Sequence, residues 1–289
     1  PVAALFEDII DNASIDGISS ASTSGTAITI DSSNKVGINE GTPAEQLHVS
    51  GTTRLVHSGE AGPHTYRDGN SGNDIRFFST NGTFASPTAK TPNSAVGQLH
   101  YSGHDGTTYR QNASVVVAVD GTVSTGTVPM RMTFHAGTTS NTERLRIDSA
   151  GRVTMPYQPG FLARRNIAGD GRGSGTTTEW SVTGPGSYNT GGHFSTSTGR
   201  FTAPVAGTYA FAANPGYMQS GVSFNWYWQV NGGNMAEAVR FIGSGLGSHS
   251  LASGTIFVDL AVNDYVSINM GSTHHVNVSY NTFSGILIS

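Results

Sequence analysis

GRFTAPVAGTYAFAAN (199–214) is the stretch on which the fold turns. It is dense in aromatic and small apolar residues, is broken only by Pro204 and Gly207, and reads as strand over 200–213. The same character sets in after Gln158–Pro159, and further strands are predicted at 160–167, 223–231, 234–242, 251–260, 264–270 and 277–288. Such a series over ~130 residues is what a β-sandwich requires. FNWYWQV (224–230) alternates strictly, with Phe224, Trp226, Trp228 and Val230 on one face and Asn225, Tyr227 and Gln229 on the other. Side chains that each bury ~150–250 Å² belong in an interior or a subunit interface, so the tryptophan face is read as core and Tyr227 as a surface candidate.

Composition agrees with an all-β chain. Only 12% of the 289 residues are charged, and 38 are glycine, the profile of short strands joined by tight turns. The net charge of −4 and scattered Lys and Arg give no basic field, so nucleic acid is not expected as a partner. The chain has no cysteine, which removes disulfides and thiolate metal sites. No apolar run approaches the ~20 residues of a membrane span and no signal segment is visible, so neither membrane insertion nor secretion is expected.

Upstream of the sandwich, PVAALFEDIIDNAS places Val2, Leu5, Phe6, Ile9 and Ile10 near helical spacing. A helix this short is marginal alone and reads as a helical or coiled attachment segment, or as a frayed leader. A hydroxyl-rich linker follows. AITIDSSNKVGI (27–38) and RLRIDSAGRVTM (144–155) then share the form Ile-Asp-Ser, turn, basic residue, Val, and HFSTSTGRFTA (193–203) is a looser third copy. Each is predicted to be a β-hairpin with its turn Asn or Gly at positive φ. A single hairpin cannot bury its own face, so these units suggest a stacked fibre in which several chains supply the cover. Between them, Asp74 to Phe78, Gln98 to Tyr101, Ser114 to Asp120 and Met130 to His135 read as strands of a second sandwich or small barrel.

The C-terminal 131 or so residues resemble the globular head of complement C1q and its bacterial and phage relatives, which share a jelly roll with the tumour-necrosis-factor cytokines. The resemblance rests on Phe201, Pro204, Gly207, Tyr209 and Phe211 in 199–214, on SGTIFVDLAVNDYVSINM (253–270), and on NTFSGILIS (281–289). It implies a central terminal strand and trimeric heads. The chain departs from the animal proteins in lacking a collagen-like stalk and a cysteine after the first strand. VGINEGTPAEQLHVSGTTRL (36–55) resembles the Gly-Ile…Pro…Leu-x-Val shaft motif of bacteriophage tail fibres, and residues 81–153 resemble their knob modules through Pro87, Thr88, Gly106, Tyr109, Asp120, Gly121, Pro129 and the Arg-Ile-Asp-Ser stretch.

Candidate chemistry is sparse. No His-x-His occurs among the ten histidines, and adjacent His274 and His275 on a strand would point to opposite faces, so no metal site is expected. His104–Asp105 reads as a turn rather than a dyad. DGNSGND (68–74) reads as an Asx-rich turn without the closing glutamate of a calcium loop, and GDGRGSG (169–175) and GSGLGS (243–248) as glycine-rich surface loops. No pair of carboxylates suits glycoside cleavage, and Asp120, Asp148, Asp259 and Asp264 are expected to satisfy backbone donors at turns and strand ends. Recognition is instead expected in head loops, through Trp180, Tyr188, His193, Tyr217, His249, His274 and His275, with Tyr227 beside them.

These readings combine into an all-β, homotrimeric chain: an N-terminal attachment segment (1–26), a β shaft (27–55), a β-sandwich knob (56–143), a hairpin connector (144–158) and a jelly-roll head (159–289). The expected function is that of a phage tail fibre or receptor-binding protein. It would join other tail or virion proteins through its N-terminal segment and bind a bacterial surface glycan or outer-membrane protein through head loops, with no cofactor and no catalysis. It would be made in the bacterial cytoplasm and reside in the virion. The rival readings are a structural decoration or adaptor protein, a tailspike depolymerase and a secreted lectin.

Overall fold

The structure, a computed structural model, describes residues 28–39, 42–53, 75–83, 85–165, 169–172, 175–176, 178–214, 224–235, 240–243, 253–270, 274–276 and 281–289. The expected helical segment, its linker and the Asx-rich turn at 68–74 lie outside the described residues. All described regular structure is β, and no described helix is long and apolar enough to cross a membrane. The chain divides into compact units at 1–75 and 76–289.

In the first unit β1 (Ile28–Ile30) pairs antiparallel with β2 (Val36–Ile38), and β2 pairs parallel with β3 (Leu47–Val49). The hairpin is set by one carboxylate. Asp31 Oδ1 accepts the N–H groups of Ser33 (2.8 Å) and Lys35 (2.9 Å) while Asn34 turns the chain at φ 60°. Lys35 Nζ donates to the carbonyl of Ala44 (2.8 Å), which ties down the loop that brings β3 alongside.

The second unit opens with an antiparallel meander in the order of the chain: β4 (Ala95–His104), β5 (Tyr109–Val119), β6 (Met130–Ala136), β7 (Glu143–Ile147) and β8 (Val153–Thr154). It differs from expectation in three respects. The knob forms one sheet rather than a sandwich or barrel, because its five strands pair only with their neighbours in sequence. Residues 144–158 do not form a separate connector, since their hairpin supplies the last two strands of the same sheet. Residues 75–80 are described without strand, and the Phe77 ring lies against Gly97. The turn between β7 and β8 reproduces the first hairpin atom for atom: Asp148 Oδ1 accepts from Ala150 and Arg152 (both 2.9 Å), with Gly151 at φ 80°.

Register sorts this sheet into unlike faces. Leu99, Val115, Phe134 and Leu145 form one cross-strand row, and Val117, Met132, Ile147 and Val153 form the next, both on one face. Ser114, Thr133 and Arg146 lie on the other.

The head then runs through β9 (Gly160–Arg165), β10 (Gly169–Arg172), β11 (Gly175–Thr176), β12 (Trp180–Ser181), β13 (Tyr188–Thr190), β14 (Phe194–Ser195), β15 (Arg200–Thr202) and β16 (Gly207–Asn214). It continues with β17 (Phe224–Val230), β18 (Gly233–Asn234), β19 (Arg240–Gly243), β20 (Gly254–Leu260), β21 (Tyr265–Met270), β22 (His274–Val276) and β23 (Thr282–Leu287). One sheet has the order β12-β9-β23-β16-β20 and the other β14-β15-β21-β17-β18. This is a jelly-roll sandwich, with the terminal strand β23 inside its sheet between β9 and β16. The third expected hairpin is β14–β15, turned by Gly199 at φ 66°. GDGRGSG is not a surface loop: Gly169–Arg172 pairs with β22 and Gly175 begins a pairing with β21.

Between the sheets lie Phe161, Phe201, Tyr209, Phe211, Trp226, Trp228, Val266, Ile268 and Phe283, each 0–1% exposed. Trp226 and Trp228 are therefore core, as their alternation implies. Gly285 shares this interior, where a Cβ would sit 2.8 Å from the Phe161 ring and closer still to Phe211. The expected result for Gly285→Ala is a destabilisation of about 1–3 kcal/mol by overpacking, measured by denaturant unfolding followed through tryptophan fluorescence. An unchanged midpoint would contradict this packing.

Candidate binding surfaces

The residues expected to recognise a ligand do not converge. Trp180 is 2% exposed and is a core residue rather than a loop aromatic: β12 carries it inward, where its ring meets Phe283 at 5.8 Å. The Arg165 guanidinium lies 5.5 Å from the same ring and pairs with Glu179, with side-chain exposures of 2% and 25%. His193 is half-buried, edge-on to Phe201 at 6.4 Å. Tyr227 is half-buried on the outward side of β17, beside Gln229, whose amide donates to Gly232 O and Asn234 Oδ1 (both 3.0 Å). Tyr217 and His249 lie outside the described residues. The backbone of His274 and His275 forms β22, and their side chains are outside the described part.

Tyr188 is the most exposed of the described candidates at 46%. It overhangs a hollow of 150 Å³ on the outer face of the β9-β23-β16-β20 sheet, lined also by Ala210, Ala212, Thr255, Ser284 and Ile286. The hollow exists because small residues occupy the outward positions of β16, opposite the buried Tyr209, Phe211 and Ala213. Phe257 pairs with Ala210, which pairs in turn with Ile286, so two apolar side chains, 68% and 47% exposed, stand on the same face. One hydroxyaromatic, two small hydroxyls and an apolar rim suit a weakly polar ligand held by stacking and a few hydrogen bonds.

A larger groove of 980 Å³ lies at the β4–β5 tip, and sequence reasoning did not single it out. Tyr101, His104, Asp105, Arg110, Asn112 and Thr138 are among its lining residues. His104–Asp105 is a turn: Asp105 accepts the N–H groups of Thr107 and Thr108 and pairs with Arg110, each at 2.8 Å. The Arg110 guanidinium, before those two backbone donors, holds the Asp105 carboxyl below its ordinary range. The signal available in sequence was the pairing of His104 with Tyr109 across the Asp-Gly turn, legible only once the hairpin register is known.

The turn carboxylates behave as expected of structural acids. Asp120 accepts from Ser149 N–H, and Asp148 from Ala150 and Arg152. These backbone donors lead the causes that lower both values. Asp264 is lowered chiefly by the Asn231 amide and then by Ala261 N–H. Asp259 differs, accepting the Thr208 hydroxyl at 2.6 Å. Among the described residues no three His, Asp or Glu side chains converge to hold a metal ion.

Residues 185–288 match the C1q domain family. The match begins just before β13, so β9, which hydrogen-bonds to β23, precedes it. Among solved structures, the globular domain of the zebrafish complement 1qA protein is 21% identical with a TM-score of 0.33, the alignment covering 46% of this chain and 98% of that one. Murine APRIL is 7% identical with a TM-score of 0.35, covering 45% and 99%. No curated protein is matched in sequence.

Removing the carboxylate that faces the buried Arg165 guanidinium should be costly. Glu179→Ala is expected to destabilise the head by on the order of 3 kcal/mol, read in thermal or denaturant unfolding. A change within a few tenths of a kcal/mol would show that the pair is dispensable.

Proposed function

We propose that the chain is a homotrimeric phage tail fibre whose head attaches the virion to a bacterial surface glycan or outer-membrane protein. In this reading it is made in the bacterial host cytoplasm, joins tail or virion proteins through residues upstream of β1, and acts by binding rather than catalysis. The observation that carries the reading is the order of modules. A carboxylate-pinned hairpin is used at 28–38 and again at 144–154, and the second copy leads through Pro159 into a self-contained sandwich. The match of 185–288 to the C1q domain supports a binding head, and the shaft and knob resemblances support the fibre setting. The hollow beneath Tyr188 is the proposed contact for the receptor. Weak contacts repeated in three heads would give firm attachment through effective concentration.

Two measurements on the purified chain test the reading together. Light scattering should give about three times 30.1 kDa, and the protein should adsorb to host cells and block infection. Tyr188→Ser should weaken adsorption about tenfold, equivalent to ~1.4 kcal/mol. A stable monomer would sink the trimer, and a trimer that neither adsorbs nor blocks would favour the decoration protein.

A further inference from the structure

The 95–154 sheet is covered on the wrong side for a protein that stands alone. Its polar face is the better shielded. Ser114 is 2% and Thr133 4% exposed, Asn141 donates to Ser114 Oγ at 2.7 Å, and Arg131 donates to Asn93 Oδ1 and the Val119 carbonyl, each at 3.0 Å. Arg146 on this side pairs with Glu143 at 2.9 Å. The two apolar rows on the other face are bare by comparison: Leu99 is 46%, Met132 40%, Phe134 39%, Ile147 37% and Val153 58% exposed. Met130, in register with Val119 on the same face, adds another 43%. Cover on this face is local: Val119 is fully buried, and the Phe77 ring lies against Gly97 at the sheet edge.

Together with Tyr101 at 57%, these side chains leave open on the order of 700 Å², more than the ~300–600 Å² of the largest patch on an ordinary monomer. The same area approaches the roughly 800 Å² that each partner contributes to a standard stable interface. No charged side chain falls within either row, because the strands send their charges to the polar face or the turns. Such a face has the character of a domain core cut in half, which is typical of obligate interfaces rather than of transient encounters.

We infer that this face is a self-association surface, closed by the same face of further copies of the chain. An unbroken apolar sheet needs a partner from the moment it folds, and another copy is always at hand. Apolar rows meeting face to face need no charge complementarity, which agrees with the absence of charge. The inference concerns the sheet and stands apart from the head's own contacts and from receptor binding.

The chain has no cysteine, so single thiols report cleanly. Met132→Cys places one on the apolar face, and Gln98→Cys places one on the polar face, where residue 98 is exposed. The expected result is that native Met132→Cys reacts with a maleimide at least tenfold more slowly than Gln98→Cys. A short bis-maleimide should then link Met132→Cys chains to one another while leaving Gln98→Cys monomeric on denaturing gels. Val153→Cys, on the same row, should behave as Met132→Cys does. Equal labelling rates would overturn the inference, and so would protection at 132 without cross-links, which would assign the cover to the chain itself. A chain that stays oligomeric by light scattering yet gives no cross-link at 132 would remove this interface and leave the fibre reading standing. Cross-links without cell adsorption would do the reverse.

Discussion

The Phe283 ring stands edge-on to Phe161 at 4.9 Å and to Phe194 at 5.6 Å, and on its other side lies 5.8 Å from Trp228. Phe161 and Phe283 come from one sheet of the head, and Phe194 and Trp228 from the other. Phe161 continues the stack across the gap onto Phe194 at 4.3 Å and Phe201 at 5.3 Å, both nearly parallel. The two sheets are held together by this interlocked set of rings, and each ring pair adds about 0.5–1.5 kcal/mol beyond the area it buries. Glycine at 285 is the corresponding constraint, because the rings of Phe161 and Phe211 occupy the space a side chain would need.

The surface features of the head follow from that interior. Filling the gap with large rings on the inward positions of β16 and β23 leaves small residues such as Ala210, Ala212 and Ser284 outward, and the hollow under Tyr188 is the result. The 95–154 sheet shows the opposite economy. Among the described residues it has no second layer, and its valine, methionine and phenylalanine rows are only partly covered while its polar face carries the hydrogen bonds. The head can therefore hold itself together, whereas the sheet depends on what packs against it.

Much of this was legible in the sequence wherever one local chemistry decided the outcome. The Ile-Asp-Ser repeat predicts its hairpins through alternation and a turn Asn or Gly at positive φ, and the structure shows Asn34 and Gly151 there, with Asp31 and Asp148 adding matching backbone bonds. The alternation of 224–230 predicts a tryptophan face turned inward, and Trp226 and Trp228 are buried. What failed depended on pairing between distant segments. Glycine-rich 169–175 looks like a loop until β22 and β21 supply its partners. Trp180 sits in a polar stretch and looks exposed until β12 joins β9 and turns it onto Phe283. Whether strands at 95–154 make one layer or two is likewise a matter of topology, which alternation alone does not carry.

The central claim is that the head is self-sufficient while the 95–154 sheet is held by other copies. All three tryptophans lie in the head core, so fluorescence and amide exchange can follow the two regions separately. Hydrogen exchange on the full chain and on Met132→Glu tests the claim most directly, because residue 132 stands on the apolar face and is 40% exposed in a single chain, so a glutamate there can reach solvent unless another copy covers it. The account predicts exchange over Met130–Ala136 at least tenfold faster in the variant, with Gly207–Asn214 and Thr282–Leu287 unchanged. Equal protection of Met130–Ala136 in the two proteins would contradict it.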